Sequence, residues 1–323
     1  MKIAVAGATG EVGRMMVRTL AEMNIPVKSL TLLASRRSQH VRIPWGKADL
    51  PVFELTDSNL RTGFDYVLFS AGGEASLRFA PVAADAGAVV IDNSSAFRRN
   101  AAIPLVAPEV NGDLLRDYSG IVANPNCSTI QLVLALHPLR RFGLTRVVVS
   151  TYQSVSGAGR RGIEAWEAER EGHDAKPVFP RRIDANVIPQ IGEILPDGWS
   201  VEEDKMRHEV RRILGLPTLS VCATAVRAPV RYGHAESVWA QFEQAMTPQA
   251  LAEAWSAAAS LDYAGTDYIT PVELADSTDS HVGRVRLLDD GRCIAFWNVG
   301  HNVRLGAATN AVRILAHHAA LNR

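Results

Sequence analysis

The sequence predicts an α/β protein in two parts: a parallel sheet covered by helices in the first half, and an α+β arrangement in the second. Three observations lead there. Short, almost wholly apolar runs alternate with helical spacings over residues 2–126. Strand-length segments with one apolar and one polar face appear over residues 219–230 and 236–243. A glycine-rich turn joins the first strand to the first helix. Near-continuous apolar strands separated by helices indicate a sheet buried on both faces, whereas alternation indicates strands with one side in water.

Taken in order, residues 2–6 read as a strand and 11–23 as an amphipathic helix. Residues 30–34 and 66–70 are apolar runs short enough for buried strands; 74–86 is helical and 88–92 strand again. Residues 120–123 look like the end of a buried strand, and 129–142 has helical spacing through Ile130, Leu132, Val133, Leu136 and Leu139. Residues 146–153 then read as a strand, 162–171 as a charged helix, 172–189 as a Pro- and charge-rich surface excursion, and 201–214 as a helix. Residues 219–230 and 236–243 alternate as half-exposed antiparallel strands do. Asp289-Asp290-Gly291 is the turn of a hairpin joining 282–288 to 292–299. A helix over 306–321 comes last.

A chain of 323 residues can hold two domains, each with its own core. Lys plus Arg equals Asp plus Glu at 34 each, so there is no global basic field to attract nucleic acid. Cys127, Cys222 and Cys293 form neither a C-x-x-C nor a Cys/His cluster, which argues against a metal site and against a secreted disulfide framework. The opening Met-Lys-Ile-Ala-Val is already a strand, and no apolar run could cross a bilayer. The expectation is a cytoplasmic protein without signal peptide, metal, nucleic-acid partner or membrane partner.

Gly7-Ala8-Thr9-Gly10-Glu11-Val12-Gly13 follows the first strand and opens the first helix. Glycines permit a tight turn and let backbone approach a pyrophosphate, while the helix N-terminus offers N–H donors. The first half therefore reads as Rossmann-like, with a G-x-x-G-x-x-G variant of the phosphate loop. The second strand ends Ser35-Arg36-Arg37-Ser38, where a site for NAD carries an acid for the ribose 2′-OH. Arginines and serines suit a 2′-phosphate instead, so NADP is the expected cofactor, with Arg37 and Ser38 beside it.

In Asn124-Pro125-Asn126-Cys127-Ser128-Thr129, the thiol falls at the strand-to-helix corner, on the first turn of the helix. Unpaired N–H groups and the positive dipole end favour a thiolate there. Such a thiolate suits nucleophilic attack on an acyl group.

Several blocks now combine: Gly7 through Gly13, Asp92-Asn93-Ser94-Ser95-Ala96-Phe97-Arg98, Pro108-Glu109-Val110-Asn111, and the Cys127 segment. They are joined by Ser150-Thr151-Tyr152-Gln153-Ser154-Val155-Ser156-Gly157-Ala158-Gly159, Glu202-Glu203-Asp204-Lys205-Met206, residues 227–236 and Gly306-Ala307-Ala308. On these the chain resembles the aspartate-β-semialdehyde dehydrogenases. The resemblance implies NADPH-dependent reduction of aspartyl phosphate to aspartate semialdehyde with release of phosphate, by a homodimer or dimer of dimers. It implies an NADP-binding domain over 1–126, completed by a helical segment 303–323, and a catalytic and dimerisation domain over 127–302. Cys127 matches the nucleophile, His234 the acid/base and Gln153 the substrate-orienting amide. Arg227 matches the grip on the substrate carboxylate; Arg98, Asn126 and Lys205 match the phosphate set, with Glu202 the acidic partner of Lys205. Gly7, Thr9, Gly10, Glu11, Val12, Gly13, Arg37, Ser38, Ser156, Gly157 and Asn302 match cofactor contacts. Departures are Ser38-Gln39-His40 for the commoner Ser-x-Gly, Pro189-Gln190-Ile191-Gly192 for Pro-His-Ile-Asp, Ala235 for Ser and His301 for Asp. An N-acetyl-glutamyl-phosphate reductase would continue its cysteine motif with Tyr-Pro, where Ser128-Thr129 stand here. Another NADP-dependent acyl-phosphate or acyl-CoA reductase and a catalytically silent binding paralogue stay open as alternatives.

Overall fold

The computed structural model describes residues 1–173 and 176–322. Two compact units emerge, one of Met1–Pro125 together with the last segment from Ala307, the other of Asn126–Gly306.

The first unit contains, in chain order, β1 (Lys2–Ala6), α1 (Glu11–Glu22), β2 (Ser29–Ala34), β3 (Arg42–Trp45), β4 (Ala48–Glu54), α2 (Asp57–Leu60), β5 (Tyr66–Phe69), α3 (Gly73–Asp85), β6 (Val89–Asp92), α4 (Pro108–Asn111) and β7 (Ile121–Ala123). Its seven-stranded sheet runs β3-β4-β2-β1-β5-β6-β7 and is parallel except at the β3–β4 hairpin. The apolar runs become central strands because both their faces are buried: Ile3, Val5, Leu32, Leu68 and Ile91 are almost wholly enclosed. Each such side chain contributes about 1.5–3 kcal/mol on leaving water. Met16, Val17 and Leu20 recur at helical spacing and turn one face of α1 into this core. The hairpin of β3 and β4 escapes the sequence pattern because Pro44 and Pro51 interrupt it.

The second unit contains α5 (Cys127–Leu136), β8 (Leu144–Gln153), α6 (Arg160–Arg170), α7 (Val201–Leu214), β9 (Ser220–Arg227), β10 (His234–Phe242), α8 (Pro248–Ser256), β11 (Leu261–Tyr263), β12 (Ser280–Leu288) and β13 (Cys293–Gly300). Its six-stranded sheet runs β11-β12-β13-β10-β8-β9. The hairpin of β12 and β13 forms as expected. The expectation for residues 219–230 needs correction: β10 is antiparallel to β8 and β13, but β9 lies parallel to β8. The reason is the connection, since α6 and α7 form a crossover of the kind that parallel neighbours require. The helix expected to reach residue 142 stops at Leu136 and tightens into a 3₁₀ turn over His137–Phe142. Pro138 has no N–H to continue the α ladder.

Within the stretch 172–189, residues 174 and 175 lie outside the described residues. The rest is only partly a surface excursion: Ile183 and Ile188 are buried against Val155, Ile163 and Trp166. Ile188 also exchanges both backbone hydrogen bonds with Arg227, at 3.0 and 2.8 Å. After a π-helical passage over Arg304–Thr309, α9 (Asn310–Leu321) rejoins the first unit, where Ile314 and Leu315 enter its core. Residue 323, the end of the expected helical segment, lies outside the described residues.

Candidate active site

Asn126 makes the corner on which the candidate nucleophile sits. Its extended backbone (φ −61°, ψ 145°) ends the incoming segment, and its Oδ1 accepts the N–H groups of Ser128 and Thr129 at 3.0 and 3.2 Å. An Asn cap of this kind fixes a helix start to the residue. Cys127 is therefore the first residue of α5 and half-buried. Helix α7 closes the corner from the side. Its own start is set by a capping box between Ser200 and Glu203, and its end by Gly215 in the left-handed region. Asn126 Nδ2 donates to Glu202 Oε1 at 2.7 Å, and Lys205 Nζ to Glu202 Oε2 at 3.1 Å. The pair is no exposed helical ornament, because the Glu202 side chain is 8% exposed and that of Lys205 28%. Burial works to raise the Glu202 pKa, but Lys205, Asn126 and Arg227 outweigh it and the net direction is down.

Three more candidates share one row of the sheet. His234 stands opposite Gln153, and Gln153 opposite Arg227, at neighbouring ends of β10, β8 and β9. Same-row residues project from the same face, so strand register alone gathers an imidazole, an amide and a guanidinium. Arg227 Nη1 donates to Ser154 O at 2.7 Å, and its guanidinium lies 5.8 Å from the Phe179 ring centre. Burial lowers the Arg227 pKa, against which Glu202 and Cys127 act to keep its charge. A side chain at Gly157 would meet Arg227 Nη1 at 2.6 Å and the His234 ring at 3.3 Å, so glycine is what leaves this row open.

His234 is wholly buried, and its tautomer can be read from its partners. The backbone N–H of Ser154 donates to Nδ1 at 3.1 Å. A backbone N–H can only donate, so Nδ1 is an acceptor and the neutral ring carries its proton on Nε2. Burial first, then the Arg227 charge, brings its pKa down to about 3, which keeps the ring neutral at ordinary pH. Asn302 is buried behind this pair. Its Oδ1 accepts from Gly233 N–H at 2.9 Å and Ser154 Oγ at 3.2 Å, and its Nδ2 donates to Ser156 Oγ at 2.9 Å.

The remaining candidates lie in the first unit. A cavity of about 480 Å³ there is lined by Gly7, Thr9, Gly10, Ser35, Arg36 and Glu54, among others. Gly7 has φ +82°, and a Cβ there would lie 2.2 Å from Ser70 O; a Cβ on Gly13 would lie 2.2 Å from Gly7 O. The turn and the first turn of α1, with Glu11 and Val12, thus close up as a phosphate loop requires. Of the two arginines, Arg36 lines the cavity; Arg37 is exposed and outside the lining, while Ser38 Oγ accepts from Thr9 Oγ1 at 3.4 Å. Backbone donors, a helix N-terminus and a guanidinium fit a phosphorylated dinucleotide. Arg98 Nη2 donates to Asn93 O at 2.7 Å.

The profile described as semialdehyde dehydrogenase, NAD binding domain, matches residues 2–118, and that described as semialdehyde dehydrogenase, dimerisation domain, matches residues 136–305. The chain is 42% identical to the aspartate-semialdehyde dehydrogenase of Aquifex aeolicus, covering 97% of this chain and 96% of that one. The Bacillus subtilis enzyme of the same name is 39% identical with the same coverage. The chain belongs to the aspartate-semialdehyde dehydrogenase family. Among solved structures, aspartate semialdehyde dehydrogenase II from Vibrio cholerae, complexed with ASA, superposes with a TM-score of 0.95 at 38% identity, covering 99% of this chain and 98% of that one. Among the described residues no helix is long and apolar enough to cross a membrane, and no His/Cys/Asp/Glu group could hold a metal ion.

Sequence reasoning missed several residues of this aspartate-semialdehyde dehydrogenase fold. Ser154 fixes the His234 tautomer through its backbone, for which no side-chain motif exists. Gly306 leaves room for the thiol, since a Cβ there would lie 2.7 Å from Cys127 Cβ. Glu54 brings a carboxylate to the cavity because β4 places it beside Ala34, and β4 itself went unread.

Proposed function

We propose that this chain reduces L-4-aspartyl phosphate to L-aspartate 4-semialdehyde and phosphate with NADPH, through a thioester on Cys127. It would act in the cytoplasm as a homodimer or dimer of dimers, on the way to lysine or diaminopimelate, threonine and methionine. The first unit is the NADP-binding domain and the second the catalytic and dimerisation domain. The observation that carries this reading is the thiol at the first residue of α5, with Arg227 sensing its charge and the His234–Gln153–Arg227 row beside it.

Arg227 holds the substrate carboxylate by a two-pronged pair, and Gln153 orients the acyl group. Lys205, Asn126 and Arg98 hold the phosphate, with Glu202 fixing the directions of the first two. Cys127 Sγ attacks the acyl carbon; the carbon–oxygen bond to phosphate breaks, and phosphate leaves with that electron pair. Gly7, Thr9, Gly10, the first turn of α1 and Arg36 hold NADP at its phosphates, with Arg37 and Ser38 adjoining, while Ser156, Gly157 and Asn302 serve the nicotinamide half. The cofactor, when bound, supplies the hydride that reduces the thioester carbon. His234 donates a hydrogen bond from its Nε2–H to the carbonyl oxygen as negative charge builds there. The oxyanion then re-forms the carbonyl as the carbon–sulfur bond breaks, which releases the aldehyde and returns the thiolate.

The test runs the reaction backwards, following reduction of NADP and, separately, of NAD by aspartate semialdehyde with phosphate. Activity should require phosphate, favour NADP, and vanish in Cys127→Ala while NADP binding persists. Acid quench of the wild-type mixture should leave an acyl adduct on the Cys127 peptide. Turnover above a few per cent in Cys127→Ala, or an unmodified peptide during turnover, overturns the reading.

A further inference from the structure

One short hydrogen bond behind the candidate nucleophile has no part in the scheme above. Glu209 is 1% exposed, and its Oε2 accepts the backbone N–H of Asn126 at 2.6 Å. On α7, Glu202, Lys205 and Glu209 stand at i, i+3 and i+7, so one helix face carries all three. Two carboxylates from that face therefore converge on one residue. Glu202 takes the Asn126 side-chain amide and Glu209 its backbone N–H, while the Asn126 Oδ1 caps α5. Arg212, three residues beyond Glu209, offsets the buried charge.

We infer that Glu209 is a positioning residue for the reaction: its carboxylate pins the peptide before Cys127 and so sets where α5 begins and where Sγ lies. The inference rests on the reading of Cys127 as nucleophile. Capping alone fixes the helix start relative to Asn126, but not Asn126 relative to the β8–β9–β10 row. Glu202 ties the Asn126 side chain to α7 and Glu209 ties its backbone, and α7 packs on β9 and carries the row's position to the corner. A charge-assisted bond to a buried N–H is about twice as strong as a neutral one, which suits a joint that must not drift. A misplacement of about 1 Å can lower a rate on the order of 100-fold.

Glu203 provides the internal control. It lies on the same helix and is also buried, but it accepts from Ser200 N–H at 2.6 Å and Ala225 N–H at 2.9 Å. Its loss should lower thermal stability and disturb Cys127 less than loss of Glu209 does, because it holds the start of α7 and β9 rather than the Asn126 peptide.

The experiment measures kcat and KM, together with iodoacetamide alkylation against pH, with Cys127, Cys222 and Cys293 resolved as peptides. Glu209→Ala should lower kcat about 10- to 100-fold, leave KM for NADP within about twofold, and shift the Cys127 alkylation midpoint. Glu209→Gln keeps an acceptor and should stay within about threefold of wild type. Should Glu209→Ala not fold, Glu209→Asp withdraws the carboxylate by one methylene and should still lower kcat at least about fivefold, with the midpoint moved the same way. A folded Glu209→Ala or Glu209→Asp with wild-type kcat and midpoint overturns the inference, as does an equal midpoint shift in Glu203→Ala. If wild-type Cys127 reacts no faster than Cys222, the nucleophile reading itself fails. If it reacts fast and ignores Glu209, only the positioning role fails.

Discussion

At the scale of single residues, the tautomer of His234 divides the chemistry between two groups. With Nδ1 held as an acceptor by Ser154 N–H, the neutral ring has no lone pair at Nε2 with which to take a proton from the thiol. On the proposed mechanism, activation of Cys127 then falls to the α5 N-terminus and to Arg227, and His234 acts on the carbonyl oxygen alone. His234→Ala should accordingly lower kcat by about 100-fold or more while leaving the rate and pH profile of Cys127 alkylation unchanged. Cys293, buried with its thiol pKa pushed up by burial and then by Asp289, should stay slow and serve as the reference. If alkylation slows in parallel with turnover, the ring activates the thiol after all. Cys127, Gln153, Arg227 and His234 are legible in the sequence as candidates because each is a side chain inside a motif. Ser154 N–H and Glu209 could not: one acts through its backbone, and the other reaches Asn126 across 83 residues of chain.

At the scale of elements, legibility followed periodicity. Helix α7 reads at its full extent because a capping box opens it and a left-handed glycine closes it. Helix α8 carries a start signal too, Thr247 as cap with Pro248 behind it, but Ala-rich composition hides its buried side of Leu251, Ala254 and Trp255. Strand direction is invisible to alternation, which is why β9 was misread. Alternation also says nothing of polar groups on a buried face. Glu236 lies two residues beyond His234 on β10, fully enclosed, with Oε2 accepting Asn298 Nδ2–H at 2.9 Å. Burial pushes its pKa up to about 8, despite hydrogen bonds from Asn298 and Gln131, against an ordinary 4.5. The folded chain thus keeps a proton that the unfolded chain gives up. This contribution to stability is complete below pH 4.5 and is lost as pH rises through 8, by up to about 1.4 kcal/mol per pH unit between them. Glu236→Gln removes that titration. Thermal melts at pH 5, 6, 7 and 8 should show the variant gaining steadily on the wild type as pH rises. A difference that stays constant across those pH values rules out a protonated Glu236.

At the scale of the whole molecule, the six-stranded sheet of the second unit turns several apolar side chains outward on one face. Val148 and Tyr152 on β8 are exposed, Cys222 on β9 is exposed, and Trp239 on β10 and Trp297 on β13 are only half-buried. Register draws them together: Val148 faces Trp239, Ser237 faces Trp297, and the Tyr152 and Trp297 rings lie 5.8 Å apart. The sequence reads residues 146–153 as a strand, but Val147, Val148 and Val149 are alike in kind, so it does not show which side meets water. An aromatic-rich patch with few charges is the composition of an interface core, and this face lies within the segment that matches a dimerisation domain. We predict that the proposed homodimer buries this sheet face against its copy. Such an isologous contact places each substitution twice in one interface. Val148→Arg brings two guanidinium groups into the middle of the patch without touching the His234–Gln153–Arg227 row. It should convert the dimer to monomer at micromolar concentration in analytical ultracentrifugation, with near-wild-type circular dichroism. A stable interface buries more than about 1,000 Å², and two unpaired buried charges would cost several kcal/mol of association. A Val148→Arg protein that still sediments as a dimer would place the contact on some other surface.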